Sequence, residues 1–167
     1  MNLYILRHGI AAQHGDPDYP NDADRPLTPK GERKVHAIAE AMDALDLSFD
    51  LILTSPYPRA RQTAEIVAKI LKAGEKLQLS DDLTPGGSTE QLIQCINTHE
   101  TRPEDVLLVG HEPYLSELIS LLVAGDTSFP VVLKKGGFAR LIADSLKHGS
   151  CATLAWLLTP KQMSLMT

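Results

Sequence analysis

Short apolar runs that stop abruptly at polar, chemistry-bearing residues recur along this chain. Leu3 to Leu6, Asp50 to Thr54 and Asp105 to Val109 each have the length and residue types of a buried strand. Between them, apolar residues recur at helical spacing. Val35, Ile38, Ala39, Met42 and Leu45 mark one buried helix face, and Ala60, Ala64, Val67 and Leu71 mark a second. Leu92, Ile93 and Ile96 mark a short third helix, and Leu115, Leu118, Ile119 and Leu122 a fourth. Strands alternating with helices predict an α/β fold with three layers, α/β/α. Its central sheet is mostly parallel, with helices on both faces. Val131 to Leu133, Phe138 to Ala143 and Ala152 to Leu158 add strand candidates joined by glycine-containing turns. Their short connections imply an antiparallel member.

Local punctuation supports these boundaries. Thr28 reads as an N-cap with Pro29 at the first helical position, and Pro58 suits a second helix start. Ser88 with Gln91 three residues on resembles a capping box. Gly74 and Gly125 close helices, and Leu77 to Thr84 is short strand or extended chain broken by Pro85-Gly86-Gly87. Ala11 to Pro26, rich in proline and aspartate, is a surface loop long enough to overhang a site. There is no repeat, low-complexity tract or linker, so residues 1–167 read as one domain.

A chain of 167 residues with 43% hydrophobic and 22% charged content is an ordinary globular one. The net charge of −5 argues against general nucleic-acid binding, though not against a local anion pocket. No apolar run approaches the roughly 18 residues of a membrane span, and the first residues do not read as a basic segment leading into an apolar signal core. With only Cys95 and Cys151 there is no disulfide framework and no cysteine-based zinc pattern, which points to the cytoplasm.

Three strand ends carry the chemistry: Arg7-His8-Gly9, Ser55-Pro56-Tyr57-Pro58-Arg59 and Gly110-His111. In open α/β sheets ligands collect beyond the carboxyl ends of parallel strands. If the three strands are parallel neighbours, two arginines and two histidines converge. That excess of donors suits a phosphoryl group with charge on three oxygens. Arginine offers a rigid fork that is always charged, and histidine is both nucleophilic and partly neutral near pH 7. Arg59 falls in the first turn of its helix, where free N–H groups already favour an anion. Arg25 precedes the Pro26-Leu27-Thr28 block within reach of the pocket. Arg33, Arg61, His14, His36, His99 and His148 read as surface or structural residues. Cysteine phosphatase chemistry fails, because Cys-x5-Arg would need arginine at Thr101 or Leu157. No tight ligand spacing supports a metal.

Arg7-His8-Gly9, Leu27-Thr28-x-x-Gly31, Ser55-Pro-x-x-Arg59-Ala-x-Gln62-Thr63 and Gly110-His111 together resemble the histidine phosphatase superfamily, also called phosphoglycerate-mutase-like. The motifs stand in the family's order and span residues 3 to about 113. The resemblance implies a phosphoglycerate-mutase-like fold, and His8 as the nucleophile forming a covalent phosphohistidine. It implies Arg7, Arg59 and His111 as catalytic groups that also bind the phosphoryl oxygens, and no cofactor.

The chain is short for this family. Only about thirty residues separate Gly74 from Asp105, which leaves a minimal cap and an open pocket. Length, Arg25 to Thr28, Leu83-Thr84-Pro85-Gly86 and the tail Trp156 to Lys161 are similar to the SixA-type phosphohistidine phosphatases. Many members place an acid shortly after the position of Leu83, to protonate an alkoxide. Here that region is Leu-Thr-Pro-Gly-Gly, with Asp81, Asp82 and Glu90 the nearest carboxylates. An imidazole leaving group can be protonated on its own second nitrogen, because histidine titrates near 6.5, so it tolerates the lack of an acid. The expected substrate is a phosphohistidine-bearing protein, such as a phosphorelay or phosphocarrier domain, met by a cytoplasmic monomer. The runner-up is a small-molecule phosphomonoesterase of the same fold. A non-catalytic phospho-protein binding module would need the arginines but not His8. Lys134 and Lys135 read as a solvated turn rather than a docking rim.

Overall fold

The structure, a computed structural model, describes residues 1–166. Six strands form one sheet in the order β3-β2-β4-β1-β5-β6. They are β1 (Asn2–Arg7), β2 (Leu51–Thr54), β3 (Leu77–Leu79), β4 (Asp105–Gly110), β5 (Phe138–Ala143) and β6 (Ala152–Leu158). The helices are α1 (Pro29–Ala44), α2 (Pro58–Ile70), α3 (Thr89–Asn97), α4 (Tyr114–Ala124) and the single turn α5 (Pro160–Met163). β1 to β4 run parallel, and β5 pairs antiparallel with both β1 and β6.

Alternation along the strands sorts the core into two halves. Leu3, Ile5, Leu51, Leu53, Val106 and Leu108 face α3 and α4. Tyr4, Leu6, Ile52, Leu107, Val109 and Phe138 face α1, α2 and Met163 of α5. Because both faces of β1 and β4 are covered, these strands read as unbroken apolar runs rather than alternating ones. Aromatic rings close the second half, with Tyr4 stacked on Phe138 at 5.8 Å and edge-on to Phe49 at 5.2 Å.

Helix starts follow the expected chemistry. Thr28 accepts from the Gly31 amide and Ser88 from the Gln91 amide. Ser88 and Gln91 do not complete a reciprocal box; that motif occurs instead at Thr159 and Gln162. α4 ends on Gly125 in the left-handed region, φ 93°.

Two further expectations fail. Leu45 is exposed rather than on the buried face of α1, because the helix ends at Ala44 and Leu45 serves as its C-cap. Val131 to Leu133 is not a strand. β1, which the segment runs beside, already pairs with β4 and β5 and has no free side for it, and Val132 is 75% exposed while Leu133 is buried. Among the described residues no helix is long and apolar enough to cross a membrane.

Topology places a crevice. β1 and β4 are neighbours, yet α1 covers one face of the sheet and α4 the other. The chain therefore leaves their carboxyl ends in opposite directions and opens a cleft between them.

Candidate active site

Register aligns the three strand ends. Arg7 stands opposite Gly110, and Thr54 opposite Val109. One more amide hydrogen bond on each side continues the ladder, from His8 to the Gly110 carbonyl and from Ser55 to the Val109 carbonyl. His8, Ser55 and His111 are thereby held on rigid backbone at one edge. The imidazole rings of His8 and His111 lie 5.2 Å apart. A cleft of about 700 Å³ is lined by Arg7, His8, Arg59 and His111 together with Arg25, Asp22, Glu112 and Lys135.

His8 is 5% exposed, and its Nδ1 lies 2.7 Å from the carbonyl oxygen of Gly9. A carbonyl only accepts, so Nδ1 carries the proton and Nε2 keeps its lone pair. Burial pushes the His8 pKa down to about 3, reinforced by the charges of Arg59 and Arg7. The ring is therefore neutral at pH 7, as a nucleophile must be.

His111 is 2% exposed, and burial with the charge of Arg59 likewise pushes it down to about 3. Its Nε2 is 2.8 Å from Ser55 Oγ, which also accepts from the Tyr57 amide. The Ser55 hydroxyl is thus free to donate to Nε2, which leaves the ring proton on Nδ1.

The arginines are fixed by backbone as much as by charge. Arg7 donates to the Leu133 carbonyl at 2.9 Å. Arg59, its side chain 4% exposed, donates to the Asp22 carbonyl at 2.6 Å and to its carboxylate at 3.0 Å. Asp22 also holds Arg25. Burial works to raise the Asp22 carboxyl, but its bonds to Arg25 and the charge of Arg59 outweigh this and hold it below the ordinary range.

Among the described residues three buried side-chain nitrogens lack a hydrogen-bond partner: Arg7 Nε, Arg59 Nε and His111 Nδ1. A buried unpaired donor costs about 1–3 kcal/mol, more when charged. Their gathering in residues that line a single cleft marks a place built for an anion with several oxygens.

The rest of the sequence pattern is support. Thr63 Oγ1 accepts from the Gly9 amide at 3.1 Å and donates to the Arg59 carbonyl at 2.7 Å, tying the loop after His8 to α2. Gln62 accepts from the Leu27 amide. A Cβ on Gly31 would lie 2.0 Å from the Ile10 carbonyl oxygen, so only glycine lets α1 approach the loop after His8. Gly136 (φ 76°) donates to the Arg7 and His8 carbonyls, and the Gly137 carbonyl accepts from the Arg7 amide.

The sequence reading placed Arg7, His8, Arg59, His111 and Arg25 at one site, and all five line the cleft. Asp81, Asp82 and Glu90 do not. The carboxylates that do are Asp22, committed to two arginines, and Glu112, whose Oε1 accepts from the Ser116 amide. Neither was anticipated, although Glu112 adjoins His111 in sequence. His14, read as surface, is exposed but stands on the rim, and Lys135 lies exposed in a turn, as read, that also borders the cleft. Among the described residues no group of three or more His, Cys, Asp or Glu side chains is placed to hold a metal ion.

His8, His111 and the arginines gather in one strand-end cleft suited to a phosphoryl group, and the chain belongs to a family of phosphoryl-transfer proteins. The family model of the histidine phosphatase superfamily (branch 1) matches residues 3–85. Within that superfamily the likeness to SixA runs over nearly the whole chain. Phosphohistidine phosphatase SixA of Escherichia coli (strain K12) is 28% identical, with 96% of this chain and 94% of SixA covered. A structure of the protein histidine phosphatase SixA complexed with tungstate superposes with a TM-score of 0.80 at 27% identity, covering 96% of this chain and 98% of that one. An uncharacterised protein of Picosynechococcus sp. is 42% identical, over 84% of each chain.

Proposed function

We propose that this chain is a cytoplasmic phosphohistidine phosphatase acting on proteins, with His8 as its nucleophile. The observation that carries the reading is the buried, neutral His8 with Nδ1 bound to the Gly9 carbonyl, so that Nε2 is free to attack. Attack on phosphorus forms an Nε2–P bond as the substrate's P–N bond breaks; the departing imidazole, already protonated on its other ring nitrogen, keeps the bonding pair and leaves neutral. Water then attacks phosphorus, His8 departs, and inorganic phosphate is released. Arg7, Arg59 and His111, which line the cleft and each keep a nitrogen without a partner, hold the oxygens of the transferring group, where charge develops. A dianion beside His111 also favours its protonated form, which adds charge where it is needed. Every group these steps use belongs to the chain itself. SixA, the relative similar over nearly its full length, carries phosphohistidine phosphatase in its name, which supports the same substrate class here.

One observation favours a second reading. Glu112 borders the cleft and, unlike Asp22, has no arginine bonded to it, so a carboxyl is within reach of a leaving group. A phosphomonoesterase would use it to protonate an alkoxide.

The deciding experiment measures phosphate release from a histidine-phosphorylated protein and from a panel of phosphomonoesters, with His8→Ala and Glu112→Gln beside the wild type. The expected result is turnover of phosphohistidine, lost in His8→Ala and kept within a few-fold in Glu112→Gln. An acid-labile phosphoryl label should form on the wild type and on Glu112→Gln, and not on His8→Ala. Faster ester hydrolysis, abolished by Glu112→Gln, would establish the second reading instead.

A further inference from the structure

The catalytic cleft does not end at its rim. Past Arg7, Ile10 and Lys135 it runs into a second hollow of about 490 Å³, lined also by Lys34, Lys134, Thr159, Pro160 and Lys161. That hollow shares Lys34, Pro160 and Lys161 with a third of about 290 Å³, which reaches Ala37 and Ser164. A trench therefore leads from His8 between α1, the segment before β5, and α5.

Its charge is one-sided. Lys34, Lys134, Lys135 and Lys161 line it, no carboxylate does, and none of the four lysines is in an ion pair among the described residues. This occurs in a chain with 21 acidic against 16 basic residues. The carboxylates bordering the catalytic cleft, Asp22 and Glu112, are not among the residues lining the trench. Four like charges along one groove repel each other and create a local positive potential in a negative molecule. Such a strip steers and orients a partner of opposite charge.

We propose that this trench docks the substrate protein, and that the docked surface is acidic, with carboxylates beside the phosphohistidine seated on Lys34, Lys134 and Lys161. The proposal rests on the phosphohistidine reading and adds the partner's charge and placement. A phosphoryl group needs only the first hollow, so the length of the trench fits a polypeptide better than a small ester. The remaining surface, with its net negative charge, opposes a nucleic acid or an anionic membrane.

The test uses two synthetic phosphohistidine peptides of equal length, one flanked by glutamates and one by serines. Wild-type protein is compared with Lys34→Glu/Lys134→Glu/Lys161→Glu, and with Lys69→Glu/Lys72→Glu/Lys147→Glu as a control of equal charge. The control lysines are all exposed and lie outside the trench. The expected wild-type preference for the acidic peptide is about tenfold or more in kcat/KM, weakening as salt screens the charges. The trench variant should lose that preference, the control should keep most of it, and the serine peptide should be turned over alike by all three. Equal preference in the trench variant, an equal loss in the control, or a matching fall on the serine peptide would each overturn the docking proposal. Inhibition of the wild type by oligouridylate as strong as by the unphosphorylated glutamate peptide would also overturn it, by making the trench a general polyanion site. Failure of the wild type on both peptides, with esters hydrolysed, would remove the phosphohistidine reading and the docking proposal with it.

Discussion

Two buried neutral histidines make stability fall steeply in mild acid. His8 and His111 are both pushed down to about 3, chiefly by burial, while an unfolded chain titrates histidine near 6.5. As pH drops below about 6.5 the unfolded state takes up protons that the folded state refuses. Stability is therefore full above that value and is lost as pH falls toward 3. Each site contributes a slope of about 1.4 kcal/mol per pH unit, so the pair removes about 4 kcal/mol between pH 6 and pH 4.5. For a domain stable by about 5–15 kcal/mol that is a large share. Urea unfolding followed by circular dichroism across this range gives the slope directly. His8→Asn and His111→Gln should each cut it by about half, and the pair should leave little. Orthophosphate should oppose the loss, because a bound dianion favours protonated His111. A flat profile in the wild type, or an undiminished slope in both single variants, would refute the burial argument. Nitrogen-detected NMR of His8 should show the Nδ1–H tautomer down to pH 5.

Three further outcomes follow from single contacts. Arg59→Lys keeps the charge but not the fork that grips Asp22 and presents Nε, so kcat/KM should fall about a hundredfold with little change in unfolding midpoint. Thr63→Val preserves shape while removing the bonds to the Gly9 amide and the Arg59 carbonyl. It should cost about 1–3 kcal/mol in urea unfolding and lower kcat more than it raises KM. Gly31→Ala places a methyl 2.0 Å from the Ile10 carbonyl oxygen, and calorimetry should show a loss of about 3 kcal/mol or more.

Much of this molecule was legible before any coordinates, because its signals are local. Thr28, Pro29, Pro58 and Gly125 act within one helical turn of themselves, and they mark α1, α2 and α4 where the sequence placed them. The apolar runs of β1, β2 and β4 carry their own length and burial, and the polar residues that end them stand at the cleft. Val131 to Leu133 misled because composition reports strand propensity but not whether a neighbouring strand has a free side. Leu45 misled because periodicity continues past the residue at which backbone hydrogen bonding stops.

What sequence determined by itself was the parts: a histidine at a strand end, arginines on either side, a glycine to turn the chain, and the alternation that makes β1 to β4 parallel. What only the tertiary structure decided was how those parts are held and charged. Asp22, 37 residues from Arg59, fixes its fork, and Leu133, 126 residues from Arg7, supplies the carbonyl that aims it. Lys34 and Lys161 line one trench although more than a hundred residues of chain lie between them. Burial in the closed fold, together with the arginine charges, keeps both histidines neutral. Hydrogen bonding, desolvation and potential act through space over a few ångströms, and folding alone decides which distant residues come that close.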